Sequence, residues 1–177
     1  MHFESIATLS APRARVFAIY RDEMTALQRY LPNIRSITTT ARRTDGAVTE
    51  LTNEWAARAE LPAIARRFVA ADATGWTDHA RWDESAWTCA WRTIPHAFRD
   101  AVTSHGDHAF EAVSEAETRV TIRGVVDVDV AKIPGVPRVL ASTVRPTVES
   151  FVVASVRDNL DAFARAVARY LAEQPAR

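Results

Sequence analysis

The last thirty residues constrain the fold most. From Arg145 to Gln174, apolar side chains fall at Val148, Val152, Val156, Leu160, Phe163, Val167 and Tyr170, with Phe151 and Leu171 widening the stripe. Steps of three and four mark one face of an α-helix. Arg157, Asp161, Arg165, Arg169 and Glu173 occupy the opposite face. A helix of about 25 residues is about 38 Å long. In a chain of 177 residues, such a helix needs a large apolar surface to lie on, and the rest of the sequence reads as a sheet able to provide one. Pro146 is expected at the start of this helix, where proline is tolerated.

The segments ahead of the helix alternate in the manner of strands. His2 to Ser10 places Phe3, Ser5, Ala7 and Leu9 on one face. Ser10 reads as an N-cap, with Pro12 in the first turn of a helix bearing Val16, Phe17 and Tyr20. A second short helix covers Glu23 to Tyr30 and stops at Pro32. Asn33 to Arg43, rich in Ile and Thr, and Ala47 to Arg58 flank Asp45-Gly46, a tight-hairpin signal. Trp76 to Trp82 and Ala86 to Ile94 form a second hairpin, and Asp100 to Val113 and Thr118 to Val130 a third. Val120, Ile122, Gly124, Val126 and Val128 repeat with a period of two. Leu61 to Ala71 suits either a short helix or a connecting strand. Pro134, Gly135 and Pro137 break the last strand, and Arg138 to Val144 reads as a helical turn or two.

The totals exclude several classes. Apolar residues make up 47% and charged residues 25%, a soluble globular profile. Lys+Arg and Asp+Glu both number 22, so the net charge is zero. That argues against nucleic acid or an anionic membrane surface as a partner. No apolar run approaches the roughly 20 residues needed to span a bilayer. The N-terminus lacks the pattern of a signal peptide, so the expected location is the cytoplasm. The single Cys89 reads as a buried, inert thiol.

The order is strand, two short helices, six or so strands in hairpins, and a long helix. It resembles the START/Bet v 1-like superfamily, which includes polyketide cyclase/dehydrase and lipid-transport proteins. Three stretches carry the resemblance: the opening strand leading into SAPRARVFAIYRD with its Val16-Phe17 pair, the proline-terminated YLPNI, and the closing FVVASVRDNLDAFARAVARYL. The resemblance implies one α+β domain over residues 1–177 with the helix-grip fold. In that fold a curved antiparallel sheet of six or seven strands wraps around the C-terminal helix. It also implies a cavity between sheet and helix.

Leu51, Asn53 and Trp55 share one strand face, and Trp76 and Trp82 another. Trp87 and Trp91 share a third. With Val126 on the sheet and Val152, Val156 and Phe163 on the helix, these are the expected lining of an aromatic and aliphatic pocket. Ser155 and Asn159 would be its polar features. The plainer reading is that the tryptophans fill a packed core and the two polar residues bond local backbone.

Asp78 lies on the Trp76/Trp82 face and His79 and Arg81 on the other, so one face must bury something polar. A buried His79-Arg81 pair would orient a carboxylate or carbonyl; otherwise that face is solvated. His105 and His108 point to opposite strand faces and cannot chelate one metal from a regular strand. No phosphate-binding loop or nucleophile elbow is present. Neither a metal nor a cofactor is expected.

Three functions fit. The preferred one is binding, with transport as one form of it, of a lipid, isoprenoid or polyketide-like molecule by a monomer or homodimer. The second is a cyclase- or aromatase-like enzyme, with His79, Arg81, Asn159 or Tyr170 as acid or base. The third is a protein-interaction module, which would need a large apolar patch on the outer sheet.

Overall fold

The computed structural model describes residues 1–58, 74–133 and 136–174, without the side chains of Arg138, Val144, Phe151 and Ser155. Strand β1 (His2–Leu9) leads into α1 (Arg13–Asp22) and the single turn α2 (Met24–Leu27), which a 3-10 turn at Gln28–Tyr30 extends. Among the described residues six strands follow: β2 (Ile34–Asp45), β3 (Val48–Ala57), β4 (Gly75–Asp83), β5 (Thr88–Pro95), β6 (Val102–Ser114) and β7 (Glu117–Val128). Two 3-10 turns, Val130–Lys132 and Arg138–Leu140, lead to α3 (Ala141–Ala172). The Leu61 to Ala71 segment lies outside the described residues.

The strands form one antiparallel sheet in the order β1-β7-β6-β5-β4-β3-β2. Consecutive strands pair as neighbours from β2 to β7, and β1 closes beside β7. Each hairpin follows from its local chemistry. Gly46 takes φ +56°, which a glycine adopts without steric penalty in the two-residue loop between β2 and β3. At the β4–β5 turn, Asp83 Oδ1 accepts hydrogen bonds from Ser85 N and Oγ and from Ala86 N. That turn includes Trp87 at φ +56°, so β5 begins at Thr88. Trp87 therefore does not share a strand face with Trp91. Its ring instead packs edge-on against Phe17, 5.3 Å between centroids, beneath the Arg13 guanidinium.

Two helix boundaries differ from the sequence expectation. The N-cap of α1 is Pro12, with no side-chain cap bond, so Ser10 plays no capping role. Helix α3 has 32 residues and holds Pro146 in its interior, making it about 48 Å long. The proline removes the bond that its N–H would make to the carbonyl of Ser142. Both residues are exposed one turn into the helix, where water can take that carbonyl.

The apolar stripe of α3 has the expected register. Val167 is fully buried, Val148, Val152, Val156, Leu160 and Phe163 are half-buried, and Arg157, Asp161, Arg165 and Arg169 are turned away from the sheet. The core is concentrated at one end of the concave sheet face. There Phe17 packs edge-on against Trp82 (5.4 Å) and Phe110 (5.1 Å), and Tyr20 against Phe110 (5.3 Å) and Phe163 (5.0 Å). Such geometries add about 0.5–1.5 kcal/mol per pair beyond area burial. Polar contacts fasten the end of α3 to α1 and α2. Tyr170 Oη donates to Glu23 Oε2 (2.5 Å), Arg15 pairs with Glu23, and Tyr30 Oη donates to Glu173 (2.5 Å). Because α1 fills only one end of the concavity, the other end is left to the strands and the middle of α3. No helix among the described residues is long and apolar enough to cross a membrane.

Candidate functional site

Residues opposite one another in an antiparallel ladder point to the same face, so the register converts the concave wall into rows. Trp55, Trp76 and Pro95 form the outermost row, from β3 to β5. The next is polar: Asn53, Asp78, Thr93 and Ser104, ending on Val126 of β7. A third runs Leu51, Ala80, Trp91, Gly106, Gly124 and Phe3. The fourth holds Thr49, Trp82, Cys89, His108 and Ile122. Beyond it lies the packed end under α1.

Between these rows and α3 is a cavity of about 360 Å³, toward the small end of the ~300–1,000 Å³ usual for small-molecule sites. Trp55, Trp76, Trp82, Trp91 and Val126 line it from the sheet, and Val152, Val156, Leu160 and Phe163 from the helix. The exposed residues Pro32, Asn33 and Asn159 stand at its rim. Asn159 is thus a rim residue and not an interruption of the buried stripe, because it sits one position off the Val152-Val156-Leu160 line. Ser155 lies in the helix. Leu51 and Asn53 face the same way as Trp55 but are sealed in the core behind the cavity wall.

Three polar side chains of the wall come from the second row: Asp78, Thr93 and Ser104. A relay fixes Asp78. Thr39 Oγ1 donates to Asn53 Oδ1 (2.8 Å), and Asn53 Nδ2 donates to Asp78 Oδ2 (3.2 Å). Among the described residues no donor reaches Asp78 Oδ1. Burial pushes the Asp78 carboxyl up to about 6, against the smaller opposing effect of the Asn53 bond. His108, also in the wall, is lowered to about 4 by burial and is neutral at pH 7. Burial likewise pushes the Cys89 thiol upward, which leaves it protonated and inert.

The wall also contains buried polar nitrogens with no partner among the described residues: Nε1 of Trp55, Trp82 and Trp91, and Nδ1 of His108. Each such group costs about 1–3 kcal/mol. Their concentration around one cavity is unlike a core selected for stability alone.

Apart from Asn159 at the rim, the sequence candidates for acid and base lie elsewhere. His79 and Arg81 are exposed on the convex face, and among the described residues His79 bonds only Thr52 Oγ1 (3.3 Å). Tyr170 is engaged with Glu23 outside the cavity. The two faces of β4 are thereby distinguished: Asp78 is the half-buried polar residue turned to the cavity, and His79 and Arg81 are solvated. His105 is exposed while His108 faces the cavity, on opposite sides of β6. Among the described residues no cluster of three or more His, Cys, Asp or Glu is placed to hold a metal. Thr93 and Ser104 were absent from the sequence candidates; their parity with Trp91 and Gly106 was the available signal.

Comparison with solved structures places the fold. TTHA0849 from Thermus thermophilus superposes with a TM-score of 0.66 at 19% identity, covering 98% of this chain and 100% of that one. The Zhui aromatase/cyclase from Streptomyces sp. R1128 gives 0.61 at 17%, covering 96% and 95%. A START superfamily protein from Mycobacterium smegmatis gives 0.55 at 13%, again covering 96% and 95%. The fold is therefore the helix-grip fold of the START/Bet v 1-like superfamily. Identities this low speak to fold and not to chemistry. No curated protein sequence matches the chain. A family model described as a protein of unknown function (DUF2505) matches residues 4–171.

Proposed function

The chain belongs to the DUF2505 family, and we propose that it binds an apolar small molecule, of lipid, isoprenoid or polyketide type, between the sheet and α3. The observation that carries this reading is the cavity itself. It is about 360 Å³, walled by tryptophans and aliphatic side chains, and crossed by a row of polar groups. Apolar walls supply affinity in proportion to the area they bury, and a few fixed polar groups set orientation. Similarity to an aromatase/cyclase and a START protein supports the same reading at the level of fold. The outer sheet face gives less support to a protein-interaction role. Among its described residues, large exposed apolar side chains are Ile6 and Val113, on different strands.

Native mass spectrometry of the purified protein, with titration of lipids, isoprenoid alcohols and aromatic polyketides against tryptophan emission, tests the proposal. A co-purifying mass or a saturable emission change is expected, since four tryptophans line the cavity. Unchanged emission with every class would overturn it.

One observation favours an enzyme reading as the alternative. A carboxyl with a pKa of about 6 in a cavity is poised to exchange protons near neutral pH. In a cyclase-like reaction Asp78 would be the acid or base, in place of His79 or Arg81.

A further inference from the structure

We infer that the cavity selects ligands that carry a protonated amine on an apolar body, with the Asp78 carboxylate as the counter-charge. This rests on the proposal that the cavity is a small-molecule site, and it specifies what enters.

The argument is one of charge. Among the described residues no Lys or Arg lines the cavity. The other ionisable groups in the lining share the sheet wall with Asp78: His108 from β6, which is neutral, and Cys89 from β5, which keeps its proton. From α3 the polar lining residue is Asn159 at the rim, which does not titrate. On β3, Asn53 is neutral. Among the described lining residues, Asp78 is thus the one that can carry charge at neutral pH, and no cation answers it. A buried carboxylate without a counter-ion is costly. A ligand ammonium removes that cost by supplying the missing charge.

The geometry is prepared for this. Asn53, itself fixed by Thr39, holds one carboxylate oxygen, which orients the other, Oδ1, with no donor on it among the described residues. Fixing an acceptor in advance reduces the ordering that binding requires. Thr93 stands directly opposite Asp78 on β5 and offers a hydroxyl oxygen to a second ammonium hydrogen. Two residues before Asp78 on the same face is Trp76, stacked on Trp55 with ring centroids 5.3 Å apart and 14° between planes. Indole faces attract cations. The same arrangement rejects anionic amphiphiles. A ligand carboxylate would meet Asp78 with no arginine or lysine among the described lining residues to separate the two, and such like-charge contacts are an effective source of specificity.

The test compares three ligands with one tail: dodecylamine, 1-dodecanol and dodecanoate, each below its aggregation concentration. They are titrated against tryptophan emission and by calorimetry at pH 7.5. The expected order is amine, then alcohol, then acid, with at least tenfold between amine and alcohol. Asp78→Asn should bring the amine down to the level of the alcohol. In the wild-type protein, amine affinity should fall up to about tenfold between pH 7.5 and 5, as Asp78 takes up a proton. The wild-type comparison needs no variant, so it stands even if Asp78→Asn folds poorly. Alcohol and amine binding equally, or the acid binding as well as the amine, overturns the inference and leaves the cavity proposal standing. Binding of none of the three overturns the inference, and together with unchanged emission for the isoprenoid and polyketide classes it overturns the cavity proposal as well.

Discussion

Phe3 and Trp91 stack with ring centroids 6.2 Å apart and 28° between planes, although two whole strands separate them. Strands spaced ~4.8 Å apart put β1 and β5 about 14 Å from each other. The rings meet because the two positions between them, Gly124 on β7 and Gly106 on β6, have no side chains. A Cβ at Gly124 would lie 2.4 Å from Phe3 Cζ and 2.9 Å from Trp91 Cζ2. The pair of glycines makes a trough for two aromatic rings, and the rings become a wall of the cavity.

This makes Gly106 the least replaceable position of the wall. A Cβ there would come within 2.0 Å of the Arg123 carbonyl oxygen and 2.6 Å of Trp91 Cζ2. The first of these is backbone, which cannot rotate away. Gly106→Ala should destabilise the fold by about 1–3 kcal/mol, the range for overpacking. Gly124→Ala should cost less, since its nearest contacts are ring atoms, and should narrow the cavity as the rings shift. Urea denaturation of both variants checks the order; a Gly106→Ala protein as stable as wild type would contradict it.

Asp78 should leave a signature in stability against pH. Its carboxyl titrates near 6 when folded, above the ordinary value of 3.8. Between these values the folded protein binds more protons than the unfolded chain, so this group makes stability rise as pH falls from about 6 to about 4. Above pH 6 its desolvation penalty is fully present, at about 1–3 kcal/mol. Asp78→Asn should therefore be more stable than wild type at pH 7.5, with the advantage disappearing near pH 4. A stability difference that does not change with pH would show that Asp78 is not held in the cavity wall.

His108 acts with the opposite sign. Burial lowers its pKa to about 4 from an ordinary 6.5, so the stability it contributes is complete above pH 6.5 and is lost as pH falls toward 4. In that window it masks the Asp78 effect. His108→Phe should remove this acid sensitivity, leaving a variant that gains about 1–3 kcal/mol on wild type between pH 6.5 and 4.5. The site is already surrounded by rings, with Tyr20 at 6.1 Å, Trp82 at 6.0 Å and Phe110 at 6.4 Å. Parallel pH profiles of variant and wild type would refute the assignment.

How far the site was legible follows from the range of the forces involved. The register of α3 and the grouping of strand residues into faces are set by local periodicity. Val152, Val156, Phe163, Trp55 and Trp91 could thus be placed on the correct sides from sequence. Asp78 could be assigned to the Trp76/Trp82 face but not to the inside. Which face is inside depends on pairing with Asn53 and Thr93 on other strands. His108 was noticed for its spacing from His105, a pattern relevant to metals, and its depth comes from α1, nearly ninety residues earlier in the chain. Trp87 has the right parity with Trp91, but a turn that carries it to positive φ overrides parity. Pro146 obeys the rule for helix starts only approximately, because α3 begins five residues before it.

The cavity's role can be separated from the fold's by filling it. Val156 is half-buried on α3 and borders the cavity, so a larger apolar side chain there grows into open space and not into packed atoms. Val156→Phe should keep thermal stability within about 1 kcal/mol of wild type, since it adds apolar contact without the overpacking expected in a filled core. Its affinity for any cavity ligand should fall at least tenfold, because the added ring occupies part of a space of only about 360 Å³. Thermal melts and tryptophan-emission titrations with 1-dodecanol give the two readouts. If Val156→Phe is strongly destabilised, the space beside α3 is packed. If it is stable and still binds the alcohol like wild type, the ligand lies elsewhere.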